Sequence, residues 1–149
     1  MGKEYALEEN ETIWNRSIKR SVQKKETIWY IMPEKILIPL HGNDVAPRFD
    51  LATEVLVTAR DEKNADKEER IVVLSQASVE KLCHLILTES VDVVICSGIE
   101  EEYYQYLTWK KVRVIDSVIG SWESVLKRFD EGMLRAGDIL FDKQGLKEQ

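Results

Sequence analysis

The sequence predicts an α/β protein with a mixed β-sheet, in the element order β-β-β-α-β-α-β-α. Its first half contains three apolar runs at residues 35–40, 54–60 and 70–75, which lie too close together for helices between them. Such spacing indicates an antiparallel meander. Its second half alternates helical stripes with two more apolar runs, a pattern typical of parallel strands joined by right-handed crossovers. We therefore expect helices packed on a sheet that is part antiparallel and part parallel.

The bulk composition fits one domain with a short extension. The chain has 149 residues, 44% of them hydrophobic, and a formal net charge of −6. A negative balance argues against a nucleic-acid coating protein, which needs a positive surface. No apolar run reaches the roughly 18 residues of a membrane-spanning helix, and the first residues lack the apolar segment of a signal peptide. We therefore expect a cytoplasmic protein with no membrane association and with reduced cysteines.

Residues 1–33 are predicted to form an N-terminal extension with a basic centre. The tetrapeptide Glu-Thr-Ile-Trp occurs at residues 11–14 and again at 26–29, and five lysines and arginines lie between the two copies. One interpretation is a partly ordered arm that packs its tryptophans on the domain or on a second copy, giving a homo-oligomer. The other is a docking arm for an anionic partner. Residues 34–134 then form the domain, and residues 135–149 a polar tail.

The individual elements follow from local signals. Pro39 cannot donate a ladder hydrogen bond, so the first strand should have an unpaired side or end near it. Ser78 is a plausible N-cap for a helix, and residues 100–111 carry acids in the first turn and lysines in the last. Two helices show an amphipathic stripe, with apolar positions Val79, Leu82, Cys83 and Ile86 in the first and Trp122, Val125, Leu126, Phe129 and Met133 in the last.

A candidate binding site follows from the predicted topology. If strands one, four and five run parallel, their carboxyl ends share one edge of the sheet, where ligands of open α/β sheets bind. That edge would collect residues 41–50, residues 96–98 and residues 116–120. Gly98 and Gly120 would allow a ligand to approach the backbone closely.

Each candidate side chain also has a structural interpretation. His41 is either a ligand or a residue that caps a turn. Arg48 either binds an anion or pairs with Asp44 or Asp50. Phe49 is a core residue that could also line a pocket, and Cys96 is either a core residue or a ligand. The cysteines and histidines do not have zinc-site spacing, and neither GxGxxG nor a Walker sequence is present.

Residues from Lys35 to about Leu134 resemble the dinitrogenase iron–molybdenum cofactor biosynthesis family. The similar pieces are the strand KILIPL, the loop VAPRFDLA, the strand and turn VDVVICSGI, and the segment YLTWKKVRVIDSVIG with the helix after it. Two positions depart from the family loop Ser-Pro-His-Phe-Gly, since Arg48 replaces the histidine and Asp50 replaces the glycine. The family's Gly-Gly turn is Ser97-Gly98 here.

The resemblance implies a ribonuclease-H-like fold and a non-catalytic accessory role in nitrogen fixation. It implies a molybdenum–iron–sulfur or molybdenum–copper–sulfur cluster as cargo, with cluster donor or acceptor proteins as partners. The cofactor-binding residues would be His41, Asn43, Arg48, Phe49, Cys96, Ser97, Gly98 and Gly120, and His41 and Cys96 could act as metal ligands.

Two other functions are alternatives to cluster carriage. One is a protein–protein interaction or regulatory module with a vestigial cluster site. The other is a nuclease of the ribonuclease-H type, which needs clustered carboxylates to hold divalent metal ions. The first strand, Ile36–Leu40, contains no aspartate, and this argues against the nuclease.

Overall fold

The computed structural model describes residues 34–60 and 68–141, so the predictions for residues 1–33 and 142–149 lie outside the described residues. Three α-helices, six β-strands and one short 3-10 helix lie within these ranges. The strands are β1 (Glu34–His41), β2 (Asp44–Val45), β3 (Glu54–Arg60), β4 (Glu68–Val73), β5 (Val93–Ile95) and β6 (Arg113–Ile115). The helices are α1 (Val79–Thr88), α2 (Glu101–Trp109) and α3 (Trp122–Asp130), and the 3-10 helix is Phe49–Leu51.

The strands form one mixed sheet in the order β4-β3-β1-β5-β6, with β2 paired to β1. β1, β3 and β4 pair antiparallel, whereas β1, β5 and β6 pair parallel. The predicted meander and the predicted parallel half are therefore confirmed. The parallel ladder between β1 and β5 includes only Ile36 and Leu37 of β1. Pairing with β5 therefore ends before Pro39.

Strand β2 was not predicted, because it lies inside the segment that the sequence indicates as a polar loop. Leu40 pairs with Val45 and His41 with Asp44, so β1 and β2 form a hairpin around Gly42 and Asn43. Gly42 has a φ of +64°, a conformation that a two-residue hairpin turn requires and that glycine adopts without strain. The hairpin turns the chain back over the end of β1 immediately after the strand.

The two faces of the sheet carry separate apolar layers because side chains alternate along each strand. One layer packs against α3, and its buried members include Ile36, Ile38, Leu56, Ile95, Val125 and Leu126. The other layer packs against α1 and α2, and its buried members include Leu37, Val55, Val94, Leu82, Ile86 and Leu107. Three helices thus cover the sheet unequally, with two on one face and one on the other.

The amino ends of α1 and α3 agree with the local sequence signals, whereas α2 ends at Trp109, so the two lysines expected in its last turn lie beyond it. The Ser78 hydroxyl accepts a hydrogen bond from the backbone N–H of Lys81 at 3.2 Å, which confirms it as the N-cap of α1. Ser121 caps α3 in the same way, accepting from the backbone N–H of Ser124 at 3.2 Å. At the other end of α3, Asp130 accepts two hydrogen bonds from Arg60, at 3.1 and 2.8 Å. None of the helices in the described ranges is long and apolar enough to cross a membrane.

Candidate functional site

The segment after β1 lies across the carboxyl ends of the parallel strands and is hydrogen-bonded on both sides. On one side, the Val45 N–H donates to the Gly120 carbonyl at 2.9 Å, and the Trp122 N–H donates to the Asn43 carbonyl at 2.9 Å. These bonds join the hairpin to the loop after β6 and to the start of α3. The structure therefore brings the first and third of the three predicted segments together.

The same segment meets the end of β5 on its other side. The Gly98 N–H donates to the Pro47 carbonyl at 2.9 Å, and the Phe49 N–H donates to the Gly98 carbonyl at 2.8 Å. Phe49 is only 1% exposed and packs in the layer beneath α1 and α2. It is a core residue that anchors the segment, and its buried ring fixes where the neighbouring Arg48 emerges.

The two glycines predicted to admit a ligand are instead in contact with the chain itself. A Cβ atom on Gly98 would lie 2.8 Å from the Pro47 carbonyl oxygen, and one on Gly120 would lie 2.8 Å from the Leu140 carbonyl oxygen. Gly120 also has a φ of +147°, which side-chain-bearing residues rarely adopt. Both positions require glycine because another part of the backbone approaches closely, so internal packing explains them without a ligand.

Arg48 pairs with Asp50, which is the one that it contacts of the two acids considered as partners, Asp44 and Asp50. Its Nε donates to Oδ1 of Asp50 at 3.1 Å, and its Nη2 donates to Oδ2 at 2.6 Å. The bidentate hydrogen bond lowers the pKa of the Asp50 carboxyl and raises the pKa of Arg48. The Arg48 side chain is nevertheless 59% exposed. Its guanidinium is therefore accessible, although its charge is locally balanced.

Cys96 is completely buried at the end of β5. Burial, and to a smaller extent the charge of Asp116, raises the pKa of the Cys96 thiol to about 12. A cysteine binds a metal as its thiolate. Cys96 would therefore have to lose its proton and become exposed before it could coordinate a metal. Cys83 is in a similar state on α1, where burial raises its pKa to about 11.

The remaining predicted residues lie at the surface of this edge. His41 and Asn43 are exposed on the hairpin, and Ser97 is half-buried. The Ser97 carbonyl accepts a hydrogen bond from the Ser117 N–H at 2.9 Å, which joins the loops after β5 and β6. Among the described residues, no group of three or more histidine, cysteine, aspartate or glutamate side chains could hold a metal ion. The described residues therefore do not present a preformed set of ligands for a metal cluster.

A cluster of exposed apolar side chains beside this edge was missed in the sequence. Ile119 and Ile139 form a parallel bridge, reinforced by hydrogen bonds from the Ile119 N–H to the Asp138 carbonyl at 2.9 Å and from the Leu140 N–H to the Ile119 carbonyl at 2.7 Å. Ile119, Ile139 and Phe141 are each more than half exposed, and we call them the apolar rim. The run Ile139-Leu140-Phe141 is the signal that could have indicated it.

Comparisons with known proteins find solved structures that share this fold at low sequence identity. No family model and no curated protein matches the chain. A solved structure from Methanocaldococcus jannaschii, named a "putative dinitrogenase", is similar over 70% of this chain and 94% of its own, with 21% identity and a TM-score of 0.57.

Two further solved structures are similar over about the same share of the chain. A Thermotoga protein named a "putative NifB protein" of the DUF35 family covers 74% of this chain and 98% of its own, with 19% identity and a TM-score of 0.54. The protein PH0822 covers 68% of this chain and 93% of its own, with 18% identity and a TM-score of 0.62. At these identities the similarity establishes a shared α/β fold.

Proposed function

We propose that this protein is a non-catalytic accessory protein of the iron–molybdenum cofactor biosynthesis type, with the ribonuclease-H-like fold of that family. Its cargo would be an anionic molybdenum–iron–sulfur or molybdenum–copper–sulfur cluster, exchanged with donor or acceptor proteins. Two of the structural neighbours carry nitrogenase-related names, and the segment that resembles the family loop lies at the ligand-binding edge of the fold.

The observation that carries the proposal is the position of Arg48. Its side chain is 59% exposed on a segment whose backbone is fixed by hydrogen bonds to Gly98 on one side and to Gly120 on the other. A fixed backbone reduces the entropy lost when a ligand binds. A guanidinium offers bidentate hydrogen bonds to an anion without forming a metal bond.

Binding of this kind would be electrostatic and exchangeable. Cys96 is buried with a raised pKa, so the cargo would be held by Arg48, with His41 and Asn43 exposed at the same edge. The anion would have to displace Asp50 from Arg48, which opposes binding. A carrier benefits from such a competition because it must release its cargo.

The direct test is the metal content of the protein purified without oxygen from its own host. Elemental analysis and a visible absorption spectrum would be recorded on the same sample. We expect molybdenum with iron or copper at about one cluster per chain, together with charge-transfer bands. A colourless protein that also fails to take up tetrathiomolybdate or an iron–sulfur cluster would refute the proposal.

Variants of the ion pair test where the cargo binds. Arg48→Ala should weaken tetrathiomolybdate binding by about tenfold or more, since a hydrogen bond to a charged group contributes roughly 1.5–3 kcal/mol. Asp50→Asn should strengthen binding because it frees the guanidinium. Arg113→Ala is the matched control, since Arg113 is exposed at the amino end of β6. Equal affinity of all four proteins would exclude the Arg48 site.

A second function is favoured by the apolar rim. The exposed apolar rim, together with an Arg48 whose charge is balanced by Asp50, fits an interaction module with a vestigial cluster site, because exposed apolar surface is typical of protein–protein contacts. This alternative predicts a partner that copurifies from the host, that is lost on Ile139→Lys, and that is unaffected by Arg48→Ala. Cluster carriage instead predicts that Arg48→Ala lowers the metal content of the protein and that Ile139→Lys leaves it unchanged.

A further inference from the structure

Strand β4 forms one edge of the sheet and has an open side. It pairs with β3 through six positions, and no other described strand lies beyond it. Its first half carries charged residues, which discourage pairing with another strand, but its second half is Ile71-Val72-Val73. Natural proteins usually block such edges with charge, proline or a covering element. The second half of β4 has none of these among the described residues.

The exposed side chains of β4 extend a layer that is buried in the rest of the sheet. Ile71 lies opposite Leu56 in the β3–β4 ladder, and Leu56 belongs to the layer packed against α3. Residues directly opposite in a ladder share a face, so Ile71 and Val73 lie on the α3 face. They are 52% and 68% exposed, whereas Leu56 is 2% exposed. The single helix on this face leaves the apolar side chains of β4 uncovered.

We propose that the occupant of this edge is the same strand of a second copy of the protein. Two β4 strands would pair antiparallel about a two-fold axis that passes between their two Val72 residues. This pairing would join the two sheets into one. An axis perpendicular to the sheet keeps each face continuous, because residues of the same face then lie opposite each other. The association uses a surface other than the candidate site and does not depend on the proposed function.

The residue order of β4 favours this register. With the axis at Val72, Ile71 lies opposite the partner's Val73, and this β-branched pair occurs twice on the α3 face. Arg70 then lies opposite the partner's Leu74, so no like charges face each other. An axis at Arg70 would place two arginines directly opposite each other, which is destabilising. The ladder extends far enough, because the Leu74 N–H still donates to the carbonyl of Thr53, the residue before β3, at 2.7 Å.

The dimer would leave the candidate site accessible. The loops at that site follow β1, β5 and β6, and β6 is the edge strand opposite to β4. Pairing at β4 therefore places the two candidate sites on the outer parts of a continuous sheet. Each copy could bind cargo or a partner protein independently of the other.

Sedimentation equilibrium of the full chain tests the interface. We expect a dimer, and we expect Ile71→Lys to raise its dissociation constant at least tenfold because two lysines enter the paired edge of each dimer. Trp109→Lys is the matched control, since Trp109 lies at the end of α2, on the opposite face of the sheet, and is 72% exposed, against 68% for Val73. Val73→Lys is a second variant at the edge, and circular dichroism would establish that each protein is folded.

Cysteine cross-linking tests the register. The two native cysteines are buried, so introduced cysteines would dominate surface oxidation. Differently tagged Ile71→Cys and Val73→Cys chains, produced together, should form a disulfide-linked heterodimer in high yield, while each variant alone should give little linked product. Linkage of Ile71→Cys mainly to itself would exclude the Val72 axis.

Three results would overturn the proposal as a whole. A monomer at concentrations of tens of micromolar would exclude the dimer. A dimer that tolerates both Ile71→Lys and Val73→Lys would place the interface elsewhere. A dimer that persists in those variants but is lost on removal of residues 1–33 would assign assembly to the N-terminal segment.

Discussion

Replacing Gly98 by alanine should destabilise the protein through the junction between the loop after β1 and the end of β5. The new Cβ would lie 2.8 Å from the Pro47 carbonyl oxygen, a backbone atom that cannot rotate away. An ordinary contact needs at least 3.4 Å, so the two segments must separate by several tenths of an ångström. That movement acts directly on the hydrogen bonds that Gly98 makes.

The expected loss in the free energy of unfolding follows from the two backbone hydrogen bonds of Gly98. Gly98 donates to Pro47 at 2.9 Å and accepts from Phe49 at 2.8 Å, and each bond contributes about 1 kcal/mol. Losing both costs about 2 kcal/mol, while the lower entropy of the unfolded alanine chain returns roughly 0.4–1 kcal/mol. We therefore expect a net decrease of about 1–1.6 kcal/mol in the free energy of unfolding, measured by urea denaturation.

Two controls separate steric crowding from backbone strain. Ser97→Ala changes the adjacent residue without adding atoms and should alter stability by less than about 0.5 kcal/mol. Gly132 has a φ of +75° with open space around it, so asparagine should be tolerated there better than alanine. At Gly98 asparagine should be at least as harmful as alanine because it is larger. A Gly98→Ala protein as stable as the parent would refute the reasoning.

Three further predictions concern stability and thiol reactivity. Burial alone would raise the pKa of Glu89, but its hydrogen bond from Lys35 and the charge of Arg70 outweigh burial and lower it. Its contribution is therefore present above its ordinary pKa of 4.5 and lost as the pH falls below that value. Urea midpoints at about pH 6 and pH 3 should differ less in Glu89→Gln than in the parent. Because burial raises the pKa of Cys83 to about 11 and of Cys96 to about 12, neither thiol should react with a disulfide reagent near pH 8 until urea unfolds the chain, and rapid native labelling of Cys96 would contradict its burial. Leu126→Ala should cost about 2–5 kcal/mol, whereas Leu51→Ala, at a 56% exposed leucine, should change stability by less than about 0.5 kcal/mol; similar losses in both would contradict the assignment of the core.

The order of the elements could be predicted from the sequence because it depends on local periodicity. Apolar runs of strand length and the helical stripe from Trp122 correspond to elements in the structure, with boundaries that differ by a few residues. For example, the third predicted strand was placed at residues 70–75, whereas β4 is Glu68–Val73. The parallel and antiparallel pairings also followed, because the spacing between strands limits how they can connect.

The candidate site was only partly predictable. The sequence indicated that the loops after β1, β5 and β6 share an edge, and the hydrogen bonds of Val45 and Phe49 join them there. It left open whether Arg48 pairs with Asp44 or with Asp50, since both acids lie within reach along the chain. Strand β2 was missed because two residues are too few to establish a strand pattern.

The main elements, apart from β2, and the direction in which the strands run are therefore specified by short-range patterns of apolar residues and turns. Three-dimensional packing is needed to establish that the Pro47 carbonyl occupies the space beside Gly98, that Cys96 is buried in the core, and that Ile71 and Val73 remain uncovered. These properties depend on which segments, distant in sequence, come into contact. A one-dimensional pattern identifies an apolar residue but does not specify whether another element covers it.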